Sequence, residues 1–131
     1  MQLKIGELAA RTGCQAETIR FYEQRGLLPA PARSSGNYRI YSDAHLDRLS
    51  FIRRCRGLAM SLDEVRSLLD LQDHPGQPCG DVDDLVDQHI ADIQRKMAEL
   101  HSLQEALVRL RARCHSTGRV EECEIMRNLI S

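Results

Sequence analysis

Cysteines placed around a polar loop are the first residues of this sequence that could do chemistry. Cys114 and Cys123 enclose the segment HSTGRVEE, and Cys79 stands much earlier in the chain. Thiolates are soft donors that select soft metal ions, whereas oxygen ligands suit magnesium or calcium. A set of three sulfurs suits a low-coordinate heavy ion such as Pb(II), Hg(II) or Cd(II), because structural zinc prefers four ligands. The trio is therefore a candidate heavy-metal site.

The remaining cysteines and the compartment support this interpretation. The chain has five cysteines, and no apolar run approaches a bilayer span. The N-terminus, MQLKIGELAA, lacks the apolar core of a signal peptide. We therefore expect a soluble, cytoplasmic protein in which thiols stay reduced. Cys14 and Cys55 fit small structural thiols. An oxidant-driven disulfide between Cys114 and Cys123 remains an alternative to metal binding.

A long helix separates these cysteines. The segment QDHPGQPCG is a helix-breaking boundary, and residues 81–113 then contain no Gly or Pro. Apolar residues recur there at spacings of three and four, which is typical of a coiled coil: Val82, Leu85, Val86, Ile90, Ile93, Met97, Leu100, Leu103, Leu107 and Leu110, with His89 as a packed or paired histidine. Little chain is left to cover this stripe, so we expect its copy in a homodimer to do so. The tail VEECEIMRNLIS predicts a short final helix.

The first half of the chain has the charge and pattern of a DNA-binding unit. Residues 1–60 contain ten Lys or Arg and five Asp or Glu, whereas residues 61–131 contain eight and fourteen. IGELAARTG and AETIRFYEQRG predict two short helices, as in a helix-turn-helix. LLPAPARSSGNYRIYS predicts a hairpin, or wing, beside them, and two further helices follow, the second with a Ser61–Glu64 capping box. Thr18, Arg20 and Tyr22 on the second helix could contact phosphates or base edges.

These residues resemble the MerR family of transcription regulators. The stretch IGELAARTGCQAETIRFYEQRGLLPAPARSSGNYRIYSDAHLDRLSFI is similar to the family's winged helix-turn-helix over nearly fifty residues. The resemblance implies a mainly α fold: a winged helix-turn-helix, a long antiparallel coiled-coil dimerisation helix, and a short metal-binding loop and helix. It implies a homodimer that distorts double-stranded promoter DNA for RNA polymerase and has no membrane contact. The positions matching the family's DNA contacts are Thr18, Arg20, Tyr22, Asn37, Tyr38 and Arg39.

The C-terminal part resembles the lead- and cadmium-responsive branch most closely. PCGDVDDLVDQHI and CEIMRNLIS carry this likeness, which implies Pb(II) or Cd(II) as effector. Mercury regulators share the three cysteines but typically place Pro where Glu124 stands. Zinc regulators usually carry adjacent cysteines and a nearby histidine, and His115 follows Cys114, so Hg(II) and Zn(II) stay open. The chain has no His-rich tail, which favours a lead-type sensor.

The length of the long helix decides how the three cysteines could meet. Its 33 residues span about 50 Å at about 1.5 Å per residue. An antiparallel dimer places each helix start beside the other helix's end, so each site would combine Cys79 of one chain with Cys114 and Cys123 of the other. The predicted domains are residues 1–72 for DNA binding, a linker at 73–80, the coiled coil at 81–113 and the metal-binding end at 114–131. No nucleophile, base and orienting group cluster as an enzyme requires.

Overall fold

The computed structural model describes residues 1–114 and 118–130, and it is mainly helical, as predicted. The chain divides into two compact units, Met1–Leu85 and Val86–Ser131. The elements in chain order are α1 (Ile5–Thr12), α2 (Ala16–Gln24), β1 (Ala32–Arg33), β2 (Arg39–Ile40), α3 (Asp43–Gly57), α4 (Leu62–Gln72), α5 (Gly80–Ala112), a 3-10 turn (Val120–Glu122) and α6 (Glu124–Ile130).

The predicted helix-turn-helix is present as α1 and α2. Gly13 ends α1 with a φ of 72°, a left-handed conformation that favours glycine. Its N–H donates to the carbonyl of Ala9 at 2.8 Å, which satisfies one of the last helical carbonyls. At the other end of α1, a carboxylate oxygen of Glu7 accepts from the N–H of Lys4 at 3.2 Å. A turn of three residues then leads into α2.

The predicted wing is a two-stranded antiparallel hairpin, shorter than the sequence pattern indicated. Ala32 pairs with Ile40, and Arg33 pairs with Arg39. Asn37 turns the chain with a φ of 65°, which asparagine tolerates better than most residues. Tyr38 stands in the turn region rather than in a strand, and its N–H donates to Ser34 Oγ at 3.1 Å.

The core of the first unit lies where α1, α2, α3 and α4 meet. Its central members are Leu8, Ile19, Leu49, Ile52 and Val65, all fully buried. Burial of each such side chain contributes roughly 1.5–3 kcal/mol. The predicted capping box of α4 is present: Ser61 Oγ accepts from the Glu64 N–H at 3.1 Å, and Glu64 accepts from the Ser61 N–H at 3.0 Å.

Helix α5 has 33 residues, and it begins at Gly80 rather than at residue 81. Its apolar stripe is solvent-exposed in the single chain, at Val86, Ile90, Ile93, Met97, Leu100, Leu103 and Leu107. His89 is buried, in line with its prediction as a packed or paired histidine. Among the residues described, none of the helices has both the length and the apolar character needed to cross a membrane.

Candidate functional site

Two of the three predicted metal ligands lie together in the second unit. The Sγ atoms of Cys114 and Cys123 are 3.7 Å apart, and both side chains are half-buried. Cys114 comes just after α5, and its N–H still donates to the carbonyl of Arg111 at 3.2 Å. Cys123 directly precedes α6. The last turn of one helix and the first turn of the next thus bring two thiols together.

The first turn of α6 favours the thiolate of Cys123. Backbone N–H groups of Met126 and Ile125, together with the Cys114 thiol, lower the pKa of Cys123 below its ordinary value. Burial and the charge of Glu124 oppose this shift. The thiolate is the form of cysteine that binds metals, so the lowered pKa is compatible with the predicted role of Cys123.

Hydrogen bonds tie α6 back to the end of α5. The Arg113 guanidinium donates to Asn128 Oδ1 at 2.9 Å, and the Asn128 amide donates to the carbonyl of Glu124 at 2.8 Å. The Arg111 guanidinium donates to the carbonyl of Cys114 at 3.1 Å. The Arg113–Asn128 bond joins the two helical ends, and the two thiols share a hydrogen bond but no disulfide.

Cys79, the third predicted ligand, stands at the other end of α5. It is exposed, and its carbonyl accepts from the N–H of Asp83 at 3.0 Å, so it lies at the first turn of the helix. A helix of 33 residues is about 50 Å long at about 1.5 Å per residue. Along the chain, Cys79 thus precedes α5 and the other two thiols follow it. His115, the candidate fourth ligand, lies outside the described residues.

The other two cysteines belong to the packing of the first unit. Cys55 is buried in the core, and this burial raises the pKa of its thiol. Cys14 is half-buried and packs against the same core. Both match the small structural thiols that the sequence predicts.

The predicted recognition helix α2 presents a different face from the one expected. Thr18 and Arg20 are half-exposed, but Tyr22 belongs to the core and is only 7% exposed. Tyr22 follows Ile19 by three residues, so both lie on the buried stripe of the helix. Phe21 is the exposed aromatic residue, and the Arg25 guanidinium stacks over its ring at 4.9 Å.

Tyr22 still reaches the surface at one edge. It lines a shallow cavity of about 320 Å³ with Glu17, Thr18, Phe21, Arg56 and Leu62. A tyrosine can bury its ring and keep its hydroxyl at a surface. Tyr22 therefore belongs mainly to the core, and its predicted contact with DNA stays a prediction.

The wing is joined to the recognition helix by a carboxylate that the sequence reading missed. Glu23 of α2 lies 3.4 Å from Arg39 Nε and accepts a hydrogen bond from the Tyr41 hydroxyl. Tyr41 is fully buried, and this burial, followed by the hydrogen bond to Glu23, raises the pKa of Tyr41 well above its ordinary range. The contact fixes Arg39 beside α2, while Asn37 and Tyr38 remain exposed at the tip of the wing.

Two arginines of α3 donate hydrogen bonds to backbone carbonyls of other elements. Arg48 Nε donates to the carbonyl of Leu27 at 2.7 Å, and its guanidinium pairs with Asp73 at 3.1 Å. The Arg53 guanidinium donates to the carbonyl of Thr12. They connect α3 to the helix-turn-helix as well as adding positive charge.

Family models match most of the chain. The model described as MerR HTH family regulatory protein matches residues 3–72, and the one described as MerR, DNA binding matches residues 46–110. The chain belongs to the MerR family. It is therefore a metal-responsive, DNA-binding transcription regulator rather than an enzyme. Regulators of the MerR family bind promoter DNA and act as dimers.

Individual MerR-family proteins resemble the chain over most of its length. It is 47% identical over 109 residues to the HTH-type transcriptional regulator ZntR homolog of Haemophilus influenzae, covering 83% of this chain and 81% of the relative. It is 40% identical over 130 residues to the mercuric resistance operon regulatory protein of Bacillus cereus, covering 99% and 98%. The crystal structure of the regulator PbrR691 from Ralstonia metallidurans CH34, in complex with lead(II), has a TM-score of 0.87 at 51% identity and covers 97% and 98%.

Proposed function

We propose that this regulator is a homodimeric sensor of Pb(II) or Cd(II). Each metal ion is bound by Cys79 of one protomer and by Cys114 and Cys123 of its partner, so one dimer holds two equivalent sites. Metal binding then changes the promoter DNA held by the two DNA-binding units, and RNA polymerase transcribes heavy-metal resistance genes.

The contact between Cys114 and Cys123 carries this proposal. Two sulfurs bound at about 2.3 Å to one tetrahedral zinc ion lie about 3.8 Å apart, which gives the scale of separation for two thiolates that share a metal ion. The observed Sγ–Sγ distance is 3.7 Å, so both sulfurs can take one ion with little movement. Neither residue forms a disulfide in the chain, and the pKa of Cys123 is lowered. The donor set therefore fits a soft metal ion.

An antiparallel coiled coil supplies the third sulfur. The exposed apolar stripe of α5 needs a partner surface, and a second copy provides an identical stripe. In an antiparallel pair, the start of each helix lies beside the end of the other. Cys79 of one protomer then stands near the cysteine pair of the other, although about 50 Å of helix separates them within one chain.

The proposed DNA contacts lie on α2 and the wing. Thr18 and Arg20 of α2 and Asn37, Tyr38 and Arg39 of the wing offer hydroxyl, amide and guanidinium groups to DNA, and Tyr22 offers only its surface edge. Tyr38 is 69% exposed, so it can approach a DNA backbone without rearrangement. Glu23 positions Arg39 for the same surface.

Lead is favoured as the effector by the relative that was crystallised with it. That protein is 51% identical over 97% of this chain. Cadmium is included because three thiolates suit both ions. The relative named for mercuric resistance keeps Hg(II) as an alternative effector, and Zn(II) is the other alternative because His115 follows Cys114.

Transcription in vitro tests the proposal. Purified regulator, cognate promoter and RNA polymerase are titrated with Pb(II), Cd(II), Hg(II) and Zn(II), using the natural protein and Cys79→Ser. We expect the variant to lose lead and cadmium induction and to keep DNA binding, while Hg(II), which accepts two thiolates in a line, retains some effect. Cys14→Ser is the matched control. It makes the same substitution at a cysteine that packs against the core of the first unit and is not a proposed metal ligand. A full lead response in Cys79→Ser would rule out the three-sulfur site.

A thiol redox switch is the second candidate, and the 3.7 Å contact between the Cys114 and Cys123 sulfurs favours it. Oxidation of the pair would form a disulfide and release two protons and two electrons to an oxidant such as a peroxide. Activation by peroxide in metal-free buffer, unaffected by Cys79→Ser, would support the switch. Activation only by metal, with full dependence on Cys79, would exclude it.

A further inference from the structure

Three arginines surround a concave surface between α1 and α3. The cavity has a volume of about 300 Å³ and is lined by Arg11, Thr12, Ser50, Arg53 and Arg54. Every lining residue carries a cation or a hydroxyl group, and no apolar side chain lines it. We refer to these five residues as the arginine cleft. None of them belongs to the predicted DNA contacts on α2 and the wing.

The positive charge of the arginine cleft is not neutralised by the protein. Within residues 1–114 and 118–130, no carboxylate forms an ion pair with Arg11, Arg53 or Arg54. Arg11 and Arg54 are exposed. Like charges repel each other, so an anion bound among three guanidinium groups would relieve this repulsion.

The floor of the arginine cleft is held in place by local hydrogen bonds. The Arg53 guanidinium donates to the carbonyl of Thr12, and the Thr12 hydroxyl donates to the carbonyl of Leu8 at 2.8 Å. Gly13 makes this close approach possible, because a Cβ atom at that position would collide with the Arg53 guanidinium. One of the three cations is thus fixed before a ligand arrives.

We propose that the arginine cleft binds a phosphate of the DNA backbone, one per protomer, in addition to the contacts of α2 and the wing. Arginine and serine side chains bind phosphate oxygens, and arginine does so through two parallel N–H groups. Arg11 lies on the first helix of the helix-turn-helix, two residues before Gly13. In this motif the first helix crosses the DNA backbone. The lining offers guanidinium groups for one phosphate group, and it has no apolar side chain to bind the apolar residues of a peptide.

The proposal rests on the DNA-binding function of the family, and salt dependence tests it. Each phosphate contact contributes about 0.9 to the slope of log affinity against log salt. Arg11→Ala/Arg54→Ala removes one phosphate contact per protomer, so the slope of the dimer falls by about 1.8. Raising the salt from about 50 to about 200 mM lowers the affinity of both proteins for DNA. The fold-loss of the natural protein should be about twelve times that of the variant. At low salt the variant binds DNA more weakly.

Fluorescence anisotropy of the full-length dimer provides the measurement. An operator duplex and a scrambled duplex of equal length are titrated across a salt series. We expect the affinity of the variant to fall by the same factor for both duplexes, because a phosphate contact carries no sequence information. Lys96→Ala/Arg109→Ala on α5 is the matched control, since it removes the same two charges per protomer outside the cleft and should leave the slope unchanged. Arg11→Lys/Arg54→Lys should restore most of the slope, and thermal unfolding checks that each variant is folded.

Other results would overturn the proposal. An unchanged slope on both duplexes would show that the arginine cleft does not bind DNA. If transcription were then reduced, an acidic surface of a protein partner would be the ligand. A loss confined to the operator duplex would indicate base contacts rather than a phosphate. Arg20→Ala distinguishes failure of the cleft proposal from failure of the proposed DNA-binding surface on α2. If Arg20→Ala also left DNA binding unchanged, that α2 surface would be wrong, whatever the cleft does.

Discussion

A mixed dimer decides which chains supply the metal ligands. One protomer carries Cys79→Ser, and the other carries Cys114→Ser and Cys123→Ser together. If each site is shared, Cys79 of the second protomer meets Cys114 and Cys123 of the first, and one intact site forms. The opposite site has no cysteine. If each site forms within one chain, neither protomer has a full set.

The expected numbers follow from the length of α5. Its 33 residues span about 50 Å, far beyond the distance at which two sulfurs can bind one ion. Tight Pb(II) stoichiometry should therefore be about two per natural dimer, about one per mixed dimer and about zero for either variant homodimer, because one ion binds each complete three-sulfur site.

Differential affinity tags on the two variants allow the mixed dimer to be purified, and competition with a chelator of known affinity measures bound Pb(II). A mixed dimer built from Cys14→Ser and natural protomers is the control, and it should bind two equivalents. Zero equivalents in the mixed dimer would mean that α5 is broken or that the coiled coil is parallel. Tight binding by the Cys79→Ser homodimer would refute the role of Cys79.

Three further outcomes are expected. Arg20→Ala should weaken operator binding by about 1–3 kcal/mol per protomer if it contacts a base, or lower the salt slope of the dimer by about 1.8 if it contacts a phosphate; anisotropy measures both. Because Tyr41 has a raised pKa, the unfolded state ionises first, so stability is retained below about pH 10 and falls above it. Chemical denaturation should show a smaller fall in Tyr41→Phe. Pb(II) binding should release protons and weaken as the pH falls, because thiols must ionise, and calorimetry in buffers of different ionisation enthalpy counts the protons.

Much of the fold follows from local patterns in the sequence. Gly13 marks the end of α1, the Ser61–Glu64 pair marks the start of α4, and the spacing of apolar residues predicts α5 to within a residue at each end. Each of these features is determined by residues close together in the sequence, so the sequence alone is enough to predict it. The wing is also predicted, but its strands are only two residues long, because strand ends depend on pairing across the hairpin.

The contacts that the sequence reading missed join elements distant in the chain. The polar group of Tyr22 predicts a surface position beside Thr18 and Arg20. In the structure, its ring packs in the core beside Ile19. The spacing of three between Ile19 and Tyr22 was the signal that could have found this. Glu23 gave no such signal, since its partners Arg39 and Tyr41 follow from how the wing packs on α2.

A single chain cannot complete the proposed metal site, because only its Cys114 and Cys123 lie in contact with each other. A ligand supplied by a second protomer makes metal binding and dimerisation depend on each other. A ligand that binds only the assembled state stabilises it by about 2.7 kcal/mol when its concentration is a hundred times its dissociation constant. With Cys79 at one end of α5 and the cysteine pair at the other, each bound ion adds this stabilisation at an end of the coiled coil. In the proposed arrangement, the length of α5 therefore sets both where the metal binds and which assembly it favours.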